Sequence, residues 1–196
     1  MRLPPATHPI LHCKSRQQAE IVLDAIIERL AHVGLELNLD KTRIVYCKDA
    51  NRTGSHEHEQ FTFLGYTFRP RLARNQAGEK FVSFIPAVSD NAAREIRHTI
   101  KRWRLHLWSG ATLADIAQQI NPTVRGWINY YGRFYRTELI WTPRRINHYL
   151  VRWAMRKYKR LRRHRTRASR FLEAVAKRDP ELFAHWAIGG TRTMVG

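Results

Sequence analysis

Between Arg152 and Arg170, ten of nineteen residues are Lys or Arg and none is acidic. They are Arg152, Arg156, Lys157, Lys159, Arg160, Arg162, Arg163, Arg165, Arg167 and Arg170. Such a run repels itself until something neutralises it, and phosphate is the natural counter-charge. Each phosphate met adds about 0.9 to the log–log salt slope on a duplex, or about 0.7 on a single strand. Arginine dominates the run, which suits RNA, where planar guanidiniums bridge phosphates and stack on bases. The plainer alternative is a solvated helix face, with Val151, Met155, Tyr158 and Leu161 as its buried stripe. A second grouping, His56-x-His58 together with Cys13 or Cys47, holds the residue types of a zinc site. No Cys-x-x-Cys pair accompanies it and both histidines sit in a polar stretch, so zinc is not expected.

The 196-residue chain carries 35 Lys+Arg against 16 Asp+Glu, formally +19, and the excess is unevenly placed. Residues 1–88 hold 12 basic and 9 acidic groups, whereas residues 89–196 hold 23 and 7. That asymmetry points to a polyanionic partner, nucleic acid first. At 43% hydrophobic the chain has material for a real core. No apolar run of about 18 residues is present, so no membrane partner is expected. The opening "MRLPPATHP" lacks a signal peptide's apolar stretch, and two isolated cysteines suit a reducing compartment. A cytoplasmic location is the resulting expectation.

The elements that must carry these groups fall into two halves. "SRQQAEIVLDAIIERLAHVG" predicts an amphipathic helix, capped by Ser15 with Gln18 and stopped by Gly34. Its stripe of Ala19, Val22, Leu23, Ile26, Leu30 and Val33 is expected to be buried. "RIVYC" and "FTFLGYTF" read as strands, the second with Gly65 at a bulge, and a third short strand succeeds a turn at Asn75–Gly78. From Ser89 the pattern is helical. Ser89 or Asp90 caps one helix, Thr112 and Asp115 frame a short one to Ile120, and Asn121-Pro122 opens the next. Thr142-Pro143 opens a long basic helix, and a last helix covers about Ala168 to Arg178.

"NPTVRGWINYYGRFYR" combines aromatics with arginines. With Arg125 at zero on a helical wheel, Asn129, Arg133 and Arg136 fall at about 40°, 80° and 20°. Trp127, Tyr130, Tyr131 and Phe134 fall at about 200°, 140°, 240° and 180°. The aromatics are thus expected to pack the bundle, leaving Arg125, Asn129, Arg133 and Arg136 to face phosphates.

The same sixteen residues closely resemble the signature of the maturase-specific, or X, domain of bacterial group II intron reverse transcriptases. "GLELNLDKTRIVYCKD" resembles the palm segment of that family and "FTFLGYTF" its primer grip, in the same order, over about Ile10 to Ile188. The resemblance implies an α+β fold: over residues 1–88 an incomplete reverse-transcriptase palm, with a few antiparallel strands and one helix. Residues 89–196 would then form an all-helical thumb, or maturase, bundle with a basic helical tail. It also implies that Lys41 is the palm lysine near the nucleotide phosphates and that Phe63, Leu64, Gly65 and Tyr66 are primer-grip remnants. The family's Mg²⁺-binding Asp pair would fall on Thr7 and His8, neither a carboxylate. Two-metal phosphoryl transfer needs anionic oxygen ligands, so no catalytic residue and no cofactor are expected for this chain alone. The C-terminal "HWAIGGTRTMVG" carries no His-Asn-His cluster, so DNA cleavage is not expected.

The resemblance supports three readings. One is an RNA-binding maturase-type fragment that assists folding and splicing of structured intron RNA, with DNA a further candidate ligand. Another is one piece of a split reverse transcriptase needing a separately encoded fingers–palm fragment. The third is a truncated remnant of a mobile genetic element. Strands short of sheet neighbours would leave open edges, so the first half is expected to be aggregation-prone.

Overall fold

The computed structural model describes residues 9–52 and 54–189. The fold is α+β: among the described residues, six α-helices accompany one three-stranded antiparallel sheet of order β1-β2-β3.

Helix α1 (Arg16–His32) starts where Ser15 Oγ accepts the Gln18 N–H at 3.1 Å. The Gln18 side chain, however, reaches the N–H of Lys14 at 2.7 Å, not that of the cap residue. Gly34 ends the helix at φ +71°, with Leu35 N–H bonded back to Leu30 O at 2.9 Å. The expected buried stripe is only half realised: Ala19, Val22, Leu23, Ile26 and Leu30 are half-buried, Val33 is 60% exposed, and no residue of α1 is fully buried. The cause is the lack of a sheet beside the helix. "RIVYC" forms no strand; a backbone bond from Tyr46 N–H to His58 O (2.8 Å) stands in place of a ladder that could cover α1.

"FTFLGYTF" also departs from expectation. It is not one bulged strand but a hairpin: β1 (Phe61–Phe63) turns at Leu64–Gly65 into β2 (Tyr66–Arg74). Both turn residues have positive φ, +46° and +77°, the two-residue geometry whose twist matches the flanking strands. The turn after Arg74 leads, as expected, to β3 (Lys80–Val88), paired with β2 along its whole length.

Ser89 then caps α2 (Asp90–Trp103), accepting the Ala92 N–H at 3.2 Å. A 3-10 turn (Leu105–Leu107) leads to α3 (Leu113–Tyr131), which begins in a complete Thr112/Asp115 capping box. Asn121-Pro122 does not open a new helix: α3 runs through Pro122 without a break. Gln118 and Pro122 are both on the exposed side, where water can take the place of the missing N–H. Next come α4 (Trp141–Lys157) and α5 (Arg165–Arg178), separated by a 3-10 turn at Lys159–Leu161. The basic tail is therefore two helix ends around a turn, with Arg163 at φ +64°. Of its expected stripe, Val151 is buried and Met155 and Leu161 are half-buried, but Tyr158 is exposed.

The core is the helical half. Ile100, Leu105, Ile116, Ile120, Val124, Ile146, Leu150, Trp153 and Leu172 are all buried in one cluster. Trp153 donates its indole N–H to Trp108 O at 2.8 Å, anchoring α4 to the turn before α3. The segment before the short α6 (Trp186–Gly189) is held by two asparagines. Asn121 donates to Leu182 O (2.9 Å) and accepts from Ala184 N–H (3.0 Å). Asn147 Oδ1 meets His185 Nε2 at 2.8 Å and accepts the Trp186 indole N–H at 3.1 Å.

Candidate nucleic-acid interface

On α4, positions 144, 145, 148, 149 and 152 follow the helical repeat, so Arg144, Arg145, His148, Tyr149 and Arg152 share one side. Ile146, Leu150, Trp153 and Ala154 fill the other side and are buried. Across from the polar side lies α2, whose Ala93, Ile96 and Ile100 face the core and leave Arg97 and Lys101 outward. The two helices frame a cationic groove with two cavities. One, of about 730 Å³, is lined by Glu95, His98, Lys101, Arg102, Arg104, His106, Tyr149 and Arg152. The other, of about 620 Å³, is lined by Arg97, Trp141, Arg144, Arg145, His148 and Tyr149. Burial, with Arg152 and Arg156 nearby, pushes the His106 imidazole below its ordinary pKa. His148 is lowered in the same way by burial and by Arg152 and Arg165. Both rings are therefore neutral at pH 7, while the arginines supply the charge.

Among the sequence-derived residues, Arg152 lines this groove, and Arg156 is close enough to act on His106. Lys159, Arg160, Arg162, Arg163, Arg167 and Arg170 are exposed, as is Arg165, at the start of α5. Lys157 is different: its ammonium donates to Ser109 O (3.1 Å) and Ala111 O (2.8 Å) and sits 5.6 Å from the Trp153 ring. Arg125 and Asn129 are on α3, where Arg125 is exposed and Gly126 has open space beside it. Helix α3 stops at Tyr131, so Arg133 and Phe134 lie beyond its end and are not on the projected wheel. Arg136 opens a 3-10 turn (Arg136–Leu139), and its side chain lies outside the described residues.

The aromatics of the α3 end do not fill the bundle as a set. Trp127 stacks on Trp103 (5.5 Å), but Tyr130, Tyr131 and Phe134 surround Tyr66 of the hairpin. Tyr66 Oη donates to Tyr130 O, while Tyr130 Oη donates to Leu64 O at 2.8 Å. Arg71 on β2 pairs with Glu138 at 2.9 Å and lies over the Tyr135 ring. Phe63, Leu64, Gly65 and Tyr66 thus form a turn clamped to the end of α3. Lys41 is exposed in a separate turn, where its N–H meets Asn38 Oδ1 at 3.1 Å.

The metal chemistry that the family resemblance implies does not fit the donors present. Thr7 and His8 lie outside the described residues and carry no carboxylate. Among the described residues, no three His, Cys, Asp or Glu side chains converge as metal ligands. His56 instead packs on the Tyr46 ring at 3.9 Å. No helix among those residues is long and apolar enough to cross a membrane.

Residues 93–171 match the family model of the group II intron, maturase-specific domain. The match supports a maturase-type C-terminal region running from α2 into α5, and it contains every residue of the groove. The hairpin and α1 precede it, and the segment held by Asn121 and Asn147 comes after it. No curated protein matches the chain. Sequence reasoning singled out the basic run and missed the groove. The pattern "RRINHYLVR" carried the signal, because the wheel used for residues 121–136 also places its cations on one side.

Proposed function

We propose that this chain is an RNA-binding module of the maturase type, gripping structured group II intron RNA to assist its folding and splicing, and that alone it makes no DNA. One observation carries the reading: the maturase-specific match coincides with a groove whose walls hold seven arginine or lysine side chains against one glutamate. An uncompensated cationic cleft of that kind focuses a positive field on a polyanion. The exposed cations of residues 159–170 extend the charge and set the salt dependence. Filter binding at moderate salt tests the reading. A folded group II intron should bind in preference to an unrelated structured RNA of equal length, and should resist competition by duplex DNA. Equal binding of the two RNAs would sink it.

A second reading is favoured by α1, whose apolar stripe is only half-buried and includes no fully buried residue. In this reading a separately encoded fingers–palm polypeptide covers that stripe and supplies the carboxylates of a reverse transcriptase. Primer extension by the mixture of the two polypeptides, absent with either alone, is the expected result. No extension from the mixture ends this second reading.

A further inference from the structure

The two cavities of the α2/α4 groove share a wall, the ring of Tyr149. The side toward the first cavity carries His106, stacked on Tyr149 at 5.9 Å and 24°. Toward the second lies Trp141, with the Arg97 guanidinium 5.0 Å over its ring. Cations rim both cavities: Lys101 and Arg104 the first, Arg144 and Arg145 the second. His106 lines the first as well, with its Nδ1 buried away from solvent.

We propose that the cavities on either side of Tyr149 take two successive unpaired nucleotides, so that the groove reads a single-stranded loop or bulge of the RNA and not a duplex. This rests on the RNA-binding reading and adds the class of RNA that the groove accepts. Tyr149 and Trp141 are half-buried on the groove walls, and a duplex has little to offer them because paired bases keep their faces covered by their neighbours. An unpaired base can instead enter the groove and stack on the planar groups that line it, the His106–Tyr149 pair and the Arg97–Trp141 pair, with its phosphate at a rim guanidinium.

Fluorescence anisotropy on the full chain tests this, comparing an unstructured 12-nucleotide RNA with a 12-base-pair RNA duplex at about 0.15 M salt, a length chosen to give about the charge span of the groove and tail. Charge alone favours the duplex, so tighter binding of the single strand is diagnostic. Tyr149→Leu should weaken the single strand about tenfold or more and leave the duplex unchanged, while Tyr149→Phe should bind as the parent does. A duplex bound as tightly as the single strand, or a Tyr149→Leu chain that binds both as before, overturns the proposal. Should Tyr149→Leu not fold, photocrosslinking of 4-thiouridine RNA to the parent decides. Crosslinks at Tyr149 or Trp141 support the proposal, and crosslinks confined to residues 159–170 overturn it. Preference for the intron RNA with no Tyr149 effect removes this inference only; loss of that preference in the parent chain removes the broader reading.

Discussion

Acidification should destabilise the helical half through one imidazole, His185. Its ring is fully buried and its pKa is lowered to about 3 by that burial. The tautomer is set by the neighbours. The Trp186 indole can only donate, so it fixes the Asn147 oxygen as the shared acceptor, and His185 Nε2 must carry the proton. Nδ1 is buried with no partner, so protonating it would place a bare charge in the core. Above about pH 6.5 the ring is neutral in both folded and unfolded chains and contributes no pH dependence. Below it the unfolded chain takes up a proton that the folded chain refuses. Stability then falls by about 1.4 kcal/mol per pH unit until about pH 3, where the folded ring protonates as well. Between pH 7 and pH 5 the loss is about 2 kcal/mol, a large share of the ~5–15 kcal/mol typical of a domain. Urea unfolding followed by tryptophan fluorescence measures it, because all six tryptophans lie in residues 89–196. His185→Phe removes the titration while keeping a ring, so its stability should fall by about 2 kcal/mol less than the parent's over the same interval. Charge repulsion elsewhere cancels in that difference. Equal losses in the two proteins would refute the assignment.

The packing sets three further outcomes. Lys157→Met should destabilise the fold by about 1 kcal/mol, since its ammonium serves two backbone carbonyls, yet leave the salt slope of RNA binding unchanged; Arg160→Gln should lower that slope by about 0.7 and leave stability alone. Asn121→Ala leaves Leu182 O and Ala184 N–H without their partner and should cost about 1–3 kcal/mol, read as a lower urea midpoint and faster proteolysis after α5. Gly65→Ala forces a side chain into φ +77° with its Cβ 2.8 Å from Tyr131 Oη, and should cost about 1–2 kcal/mol in thermal unfolding of the hairpin.

Helix starts are legible in the sequence because caps are local. Ser15, Ser89 and the Thr112/Asp115 box each act within three residues of themselves. Helix ends are less so. The wheel for residues 121–136 runs past Tyr131, where Gly132 ends α3, and Pro122 reads as a start because its tolerance depends on which side of the helix faces water. The strand reading of "RIVYC" fails for a related reason: alternation describes a face, but a strand exists only where a partner supplies its hydrogen bonds.

The residue order by itself determined the concentration of cations after residue 88, since charge is a property of side-chain type. Tertiary packing alone decided that Lys157 turns inward, that Tyr66 joins the hairpin to α3, and that Arg97 and Lys101 on α2 come to face Arg144, Arg145 and Arg152 on α4. Those pairings span tens of residues of chain. They arise because two helices bury their apolar sides in one core and so bring their charged sides to the rims of a common groove.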